Sequence, residues 1–96
     1  MSESTRRAPA RELLEANHSF PGEYVIKVFG PASETFRQGC GQAAQDVVGT
    51  RVELRERVSS KGNSICITME LRAEHVDEVI ATYERLYEVA GLRLIL

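Results

Sequence analysis

The chain of 96 residues contains no tryptophan and only two cysteines, and aromatic residues make up 6% of it. Cys40 and Cys66 are too few for a disulfide framework, and their spacing matches no zinc motif. No apolar run approaches the length of a membrane span, and residues 1–10 lack the apolar core of a secretory signal. These absences predict a cytoplasmic protein with reduced thiols and no membrane association.

The chain also lacks a strong excess of charge of one sign. The formal net charge is -2, which provides no global field to recruit nucleic acid or an anionic membrane. Hydrophobic residues at 43% and charged residues at 27% are typical of a globular protein, and the length suits one domain. We expect residues 1–10 to form a disordered tail and residues 11–96 to form the domain.

What the chain does have is a regular succession of strand and helix patterns. After one or two helical turns near residues 11–16, the segments follow as strand 24–29, helix 36–48, strands 52–58 and 65–71, helix 76–90 and strand 92–96. Gly30 is expected to end the first strand, and Pro31 to occupy the first position of the following helix. The order β-α-β-β-α-β results.

This order is typical of the ferredoxin-like sandwich of the α+β class. Right-handed crossovers place both helices on one face of a four-stranded antiparallel sheet in the order 4-1-3-2. The side chains predicted to face the helices are Ile26, Val28, Val52, Leu54, Ile65, Ile67, Met69, Leu94 and Leu96. The uncovered face is predicted to carry Lys27, Phe29, Glu53, Arg55, Cys66, Thr68, Glu70, Arg93 and Ile95.

Several stretches resemble the YbeD family of small bacterial proteins. They are Phe20-Pro21, residues 24–30 (YVIKVFG), residues 59–63 (SSKGN), Ile67-Thr68, and Tyr83 with Leu86 ahead of the last strand. The resemblance runs from about Leu13 to Leu96, and residues 59–63 are its most specific part. It implies a fold close to that of the ACT regulatory domains, which bind amino acids and tune metabolic enzymes, and it implies no established activity. In ACT-like domains the loop after the first strand approaches the ligand, which here corresponds to Gly30, Pro31 and Ala32.

The turn between the second and third strands has two interpretations. Ser59, Ser60 and Lys61, followed by Gly62 and Asn63, form a backbone nest for an anion in the first interpretation. In the second, which we favour, Gly62 and Asn63 supply the turn conformation and the serines satisfy local amides.

No other motif predicts chemistry. Cys40 between Gly39 and Gly41 is either an accessible thiol or, as we favour, a small core residue where a helix packs closely. Only His75 and Glu78 are spaced to share a helix face, so we expect no metal site, and we expect no cofactor. Without a nucleophile and base pattern or a phosphate loop, the sequence predicts that the protein is not an enzyme.

The leading hypothesis is a non-enzymatic regulatory or protein-interaction domain that binds an unknown protein partner or a small metabolite. A homodimer through the open sheet face or through an edge strand, Leu92–Leu96 or Thr50–Val58, belongs to this hypothesis. The alternative is an RNA-binding module that uses the open sheet face. Nucleic acid is disfavoured because residues 65–71 contain no aromatic residue.

Overall fold

A computed structural model describes residues 8–96 of the chain. The elements are α1 (Arg11–Asn17), β1 (Gly22–Pro31), α2 (Glu34–Val48), β2 (Val52–Val58), β3 (Ser64–Ala73), α3 (Val76–Leu86) and β4 (Leu94–Ile95). The strands form one antiparallel sheet in the order β2-β3-β1-β4. This is the order predicted from the sequence, and the α+β class is confirmed.

The centre of the sheet is the long pair β1 and β3. Their register runs from Gly22 opposite Ala73 to Pro31 opposite Ser64. Alternate residues of both strands face the helices, and the buried ones are Ile26, Val28, Ile65, Ile67, Met69, Leu71 and Ala73. Because the period of a strand is two, the other half of each strand is left on the opposite side of the sheet.

The helices complete the core from one side. Helix α2 begins after Ser33, whose hydroxyl accepts a hydrogen bond from the Phe36 amide at 3.1 Å, and it ends at Gly49 with φ of 64°. Phe36 and Cys40 of α2 are buried, as are Val79 and Leu86 of α3 and Leu14 of α1. The short α1 thus adds one apolar anchor, while its neighbour Leu13 stays 58% exposed.

The prediction for Pro31 is wrong. Pro31 is the last residue of β1 and lies opposite Ser64, and α2 begins three residues later at Glu34. Ser33 sets the helix start, because its hydroxyl accepts a hydrogen bond from the Phe36 amide, which lies in the first turn and has no partner within the helix. Pro31 has no side-chain acceptor that could cap the helix in this way.

The prediction for the faces of the last strand is also wrong. Ile95 lies opposite Val28 and packs against the core, whereas Leu94 lies opposite Phe29 on the uncovered face. Leu94 is 50% exposed and Leu96 is 65% exposed. Consecutive apolar residues hide the period of this strand, so its register is determined by its pairing with β1 and not by its own pattern.

Strand β2 lies at the edge of the sheet and is poorly covered by the helices. Val52 is half-buried, but Leu54 remains 38% exposed and Val58 44% exposed, although both were predicted as core or half-buried positions. Cδ1 of Leu54 lies beside Gly41 of α2. The helices therefore cover β1 and β3 and leave much of β2 in solvent.

The predicted disordered tail at residues 1–10 falls largely outside the described residues. Of its last three residues, Ala8 packs against the core and Ala10 precedes α1.

Candidate ligand site on the open sheet face

The sheet surface away from the helices is called the open face here. The strand registers assign to it Glu23, Val25, Lys27 and Phe29 of β1, Glu53, Arg55 and Arg57 of β2, Ser64, Cys66, Thr68, Glu70 and Arg72 of β3, and Leu94 of β4. Most of these side chains were predicted to share this surface. Opposite residues of antiparallel strands point to the same side, so the registers also define rows across the sheet.

One row near the β2–β3 hairpin brings three apolar side chains together on the open face. Read across the four strands, it consists of Arg57, Cys66, Phe29 and Leu94. Phe29 and Cys66 are half-buried at its centre. A guanidinium group therefore stands at one end of an apolar strip, and Leu94 stands at the other.

Cationic and acidic groups are unevenly distributed over the open face. The acidic side chains Glu23, Glu53 and Glu70 lie toward the end remote from the hairpin. There Glu70 accepts a hydrogen bond from Arg55 at 2.8 Å, and Glu23 lies 3.9 Å from Arg72. The end near the hairpin carries cations without carboxylates, so an anion approaching that end meets no repulsion from the face itself.

The cations at the hairpin end differ in how they are engaged. Among residues 8–96, the side chains of Arg57 and Lys27 make no hydrogen bond or ion pair. Arg93 donates a hydrogen bond from Nη1 to the Ser64 hydroxyl at 2.9 Å. Arg57 thus keeps its full hydrogen-bonding capacity, in contrast to Arg55 two residues earlier on the same strand.

A groove of about 540 Å³ lies at this end of the sheet. Its lining residues are Phe29, Arg57, Val58, Ser59, Ser60, Ser64, Ile65 and Cys66. They provide an aromatic ring, a guanidinium group and three hydroxyl groups, and no acidic residue is among them. Such a mixture of apolar walls with few polar groups is typical of small-molecule sites.

The serine-rich turn supports its own backbone. The Ser59 hydroxyl accepts a hydrogen bond from the Ser64 amide at 3.2 Å, and the Gly62 amide donates to the Ser59 carbonyl at 2.9 Å. Gly62 has φ of 81°, which favours glycine. Lys61 and Asn63 are exposed beside it. The favoured interpretation of the turn thus accounts for Ser59 and Gly62, and Ser60 remains in the groove lining.

The loop predicted by the ACT resemblance is largely covered. Gly30 is buried, and Pro31 and Ala32 are half-buried. A Cβ atom at Gly30 would lie 2.3 Å from Cζ of Phe36, and one at Gly91 would lie 3.1 Å from the Pro31 ring. The segment is therefore packed against its neighbours and does not join the groove.

Of the two glycines beside Cys40, Gly39 serves packing. A Cβ atom at Gly39 would lie 3.0 Å from Cγ1 of Val89, so this glycine permits the close approach of the segment after α3. Cys40 is fully buried, and burial raises the pKa of its thiol to about 12. At neutral pH the thiol stays protonated and is a poor nucleophile.

The remaining titratable groups form structural contacts. The Tyr24 and Tyr83 hydroxyls lie 3.1 Å apart, and burial, together with this hydrogen bond, raises the pKa of Tyr83. Tyr83 of α3 therefore pairs with Tyr24 of β1. Within residues 8–96, no three His, Cys, Asp or Glu side chains converge as metal ligands would. No helix in that range is long and apolar enough to span a membrane.

The predicted site residues are thus only partly brought together. Phe29, Ser59 and Ser60 line the groove, Arg93 reaches it through Ser64, and Lys27 and Arg55 lie in the next row. Ile95 faces the core instead. Sequence reasoning did not single out Arg57, although its place two residues before the turn put it on the same face as Arg55.

These features define a small α+β domain of ferredoxin-like architecture with one side of its sheet uncovered. The chain belongs to the family described as "Protein of unknown function (DUF493)", whose profile matches residues 15–96. The resemblance to the YbeD family is thereby confirmed.

Related proteins match along nearly the whole chain. The chain is 29% identical over 89 residues to a UPF0250 protein of Haemophilus influenzae strain PittEE, a match that covers 93% of this chain and 92% of the relative. It is 28% identical over 90 residues to a UPF0250 protein of Haemophilus ducreyi, covering 94% and 89%. It is 27% identical over 90 residues to a UPF0250 protein of Pasteurella multocida, covering 94% and 98%.

Proposed function

We propose that the protein is a non-enzymatic regulatory or interaction module of the cytoplasm that binds a small metabolite or a protein partner through its open face. The observation that carries the proposal is the uncovered sheet, whose hairpin end combines exposed apolar side chains with unengaged cations. Binding sites commonly combine exposed apolar surface with a few polar or charged groups.

The groups with shifted pKa values lie in structural contacts away from the groove. Cys40 and Tyr83 are buried in the core, and Glu78 is held by Arg51 at the start of α3. None of them lines the groove. Structural hydrogen bonds and burial shift pKa values as well as active sites do. The positions of these three groups support a structural role for each of them.

Self-association belongs to the same proposal. Of the two edge strands, β2 spans seven residues and β4 only two, so β2 offers the longer row of unpaired backbone groups. The Arg51 carbonyl and the Ser59 amide both bond to β3. Because antiparallel bonding alternates, the amides and carbonyls of Val52, Leu54, Glu56 and Val58 point away from β3.

RNA binding is the second candidate, and the cations near the hairpin favour it. Proteins that bind single-stranded RNA usually stack several bases on several aromatic side chains. Among the open-face residues, however, Phe29 is the only aromatic one. We therefore place RNA binding behind the binding of a metabolite or protein.

A thermal-shift screen against a metabolite panel, followed by amide NMR of each hit, tests the proposal. We expect at least one compound to raise the melting temperature, to perturb amides of β1 and β3 on the open face, and to be recovered unchanged. Perturbations confined to the helices, or turnover of the compound, would contradict the proposal. Salt-sensitive retention of single-stranded RNA on the same surface would favour the second candidate.

A further inference from the structure

We propose that the groove beside the hairpin binds a small apolar molecule carrying one carboxylate group. The inference rests on the proposed function in that it takes the open face as the binding surface. It goes further by naming one place on that face and one chemical class of ligand.

The apolar part of the ligand is inferred from the groove lining. Phe29 is half-buried in the centre of its row, with Cys66 beside it on β3 and Leu94, 50% exposed, opposite it on β4. An apolar body placed against these side chains removes their surface from water, which favours binding. A fully hydrated anion such as phosphate makes no use of this surface.

The carboxylate is inferred from Arg57. Its guanidinium group has no partner among residues 8–96, and no acidic residue lines the groove. A guanidinium group presents two parallel N–H donors that match the two oxygens of a carboxylate. Arg93 stands at the margin on Ser64 and adds a second positive charge.

The size and the surroundings favour a small molecule over a peptide. The groove volume of about 540 Å³ falls within the range of metabolite and drug sites. The groove lies over β1, β3 and the end of β2, and β1 and β3 are paired with neighbours on both sides. An extended peptide lying over β1 and β3 would find no row of free backbone groups, because the unpaired groups of β2 point outward from its edge and not onto the open face.

Titration with phenylpropionate, followed by amide NMR of the full chain, tests the inference. Phenylpropanol and phenylpropylamine are the matched probes, because they keep the apolar body and replace the carboxylate with a neutral or a cationic group. We expect phenylpropionate to perturb the amides of Phe29, Arg57 and Cys66 and to bind at least about tenfold more tightly than either probe. Acetate, which lacks the apolar body, is expected to bind more weakly than phenylpropionate.

Two arginine variants supply the matched control. Arg57→Gln is expected to weaken phenylpropionate binding about tenfold, since it removes the unengaged guanidinium group. Arg55→Gln, on the same strand and the same face, is expected to change binding less than about threefold, because Arg55 is already bonded to Glu70. Equal losses in the two variants, or equal binding of the three probes, would overturn the inference.

A peptide that ends in phenylalanine separates the two sources of a carboxylate. If the peptide with a free C-terminus perturbs the groove while phenylpropionate does not, the small-molecule inference is overturned and the open face remains a binding surface. The proposed function fails separately, when neither the metabolite panel nor any peptide perturbs the open face.

Discussion

At the scale of single residues, close contacts decide which glycines are needed. Gly30 lies near the end of the central strand β1, where a Cβ atom would collide with the ring of Phe36, and both residues are buried. Gly41 is also buried, but a Cβ atom there would meet Cδ1 of Leu54 at an ordinary 3.5 Å. Both positions are buried glycines, but only Gly41 has room for a methyl group.

Replacement of each glycine by alanine therefore has opposite effects. Gly30→Ala is expected to lower the free energy of unfolding by about 1–3 kcal/mol, because the new methyl group displaces the Phe36 ring. Gly41→Ala is expected to raise it by up to about 1 kcal/mol, because alanine is the better helix former. Urea unfolding followed by circular dichroism measures both, and equal destabilisation by the two variants would contradict the packing described here.

At the scale of elements, one ion pair joins the start of β2 to α3. Arg51 donates from Nη1 and Nη2 to the two Glu78 carboxylate oxygens at 3.0 and 2.9 Å, and Nη1 also donates to the Arg72 carbonyl at 2.7 Å. Glu78 accepts a further hydrogen bond from the Glu74 amide at 2.8 Å. The hydrogen bond from Arg51 lowers the pKa of Glu78 below its ordinary 4.5.

This pair predicts a pH dependence of stability. A lowered pKa in the folded state means that the stabilisation is complete above about pH 5 and is lost as the pH falls through the folded-state pKa. Glu78→Gln is expected to cost about 1 kcal/mol at neutral pH, after allowance for solvent screening, and progressively less below about pH 4. Glu84→Gln, on the same helix and without an ion pair among residues 8–96, is the control and is expected to change little. A Glu78→Gln deficit that is constant with pH would contradict the assignment.

The elements also show where sequence patterns are sufficient. Strand β3 alternates strictly between buried and half-buried residues from Ser64 to Leu71, and its face was predicted correctly. Strand β4 consists of two residues within an apolar run, so either face was equally compatible with the pattern. Its pairing with β1, bonded through the Arg93 and Leu96 amides, decided the outcome. Long-range pairing of this kind leaves no periodic signal in the strand itself.

At the scale of the whole molecule, the candidate site was less predictable than the fold. The topology follows from the order of patterns, but the groove depends on register, which places Arg57, Cys66 and Phe29 side by side from three strands. Whether an arginine is engaged is also a tertiary property, as the contrast between Arg55 and Arg57 demonstrates. The sequence indicated an open face and did not indicate which of its cations remain available.

The free edge of β2 leads to the last prediction. The Leu54 amide points away from β3, so proline at this position removes a donor needed for pairing with a second copy and leaves the β2–β3 hydrogen bonds intact. We expect the unaltered chain to form a dimer and Leu54→Pro to reduce the mass measured by light scattering about twofold. Leu54→Thr keeps the amide and is expected to remain dimeric. Circular dichroism verifies that the proline variant is folded, and a folded proline variant that still dimerises would show that the copies do not meet through β2.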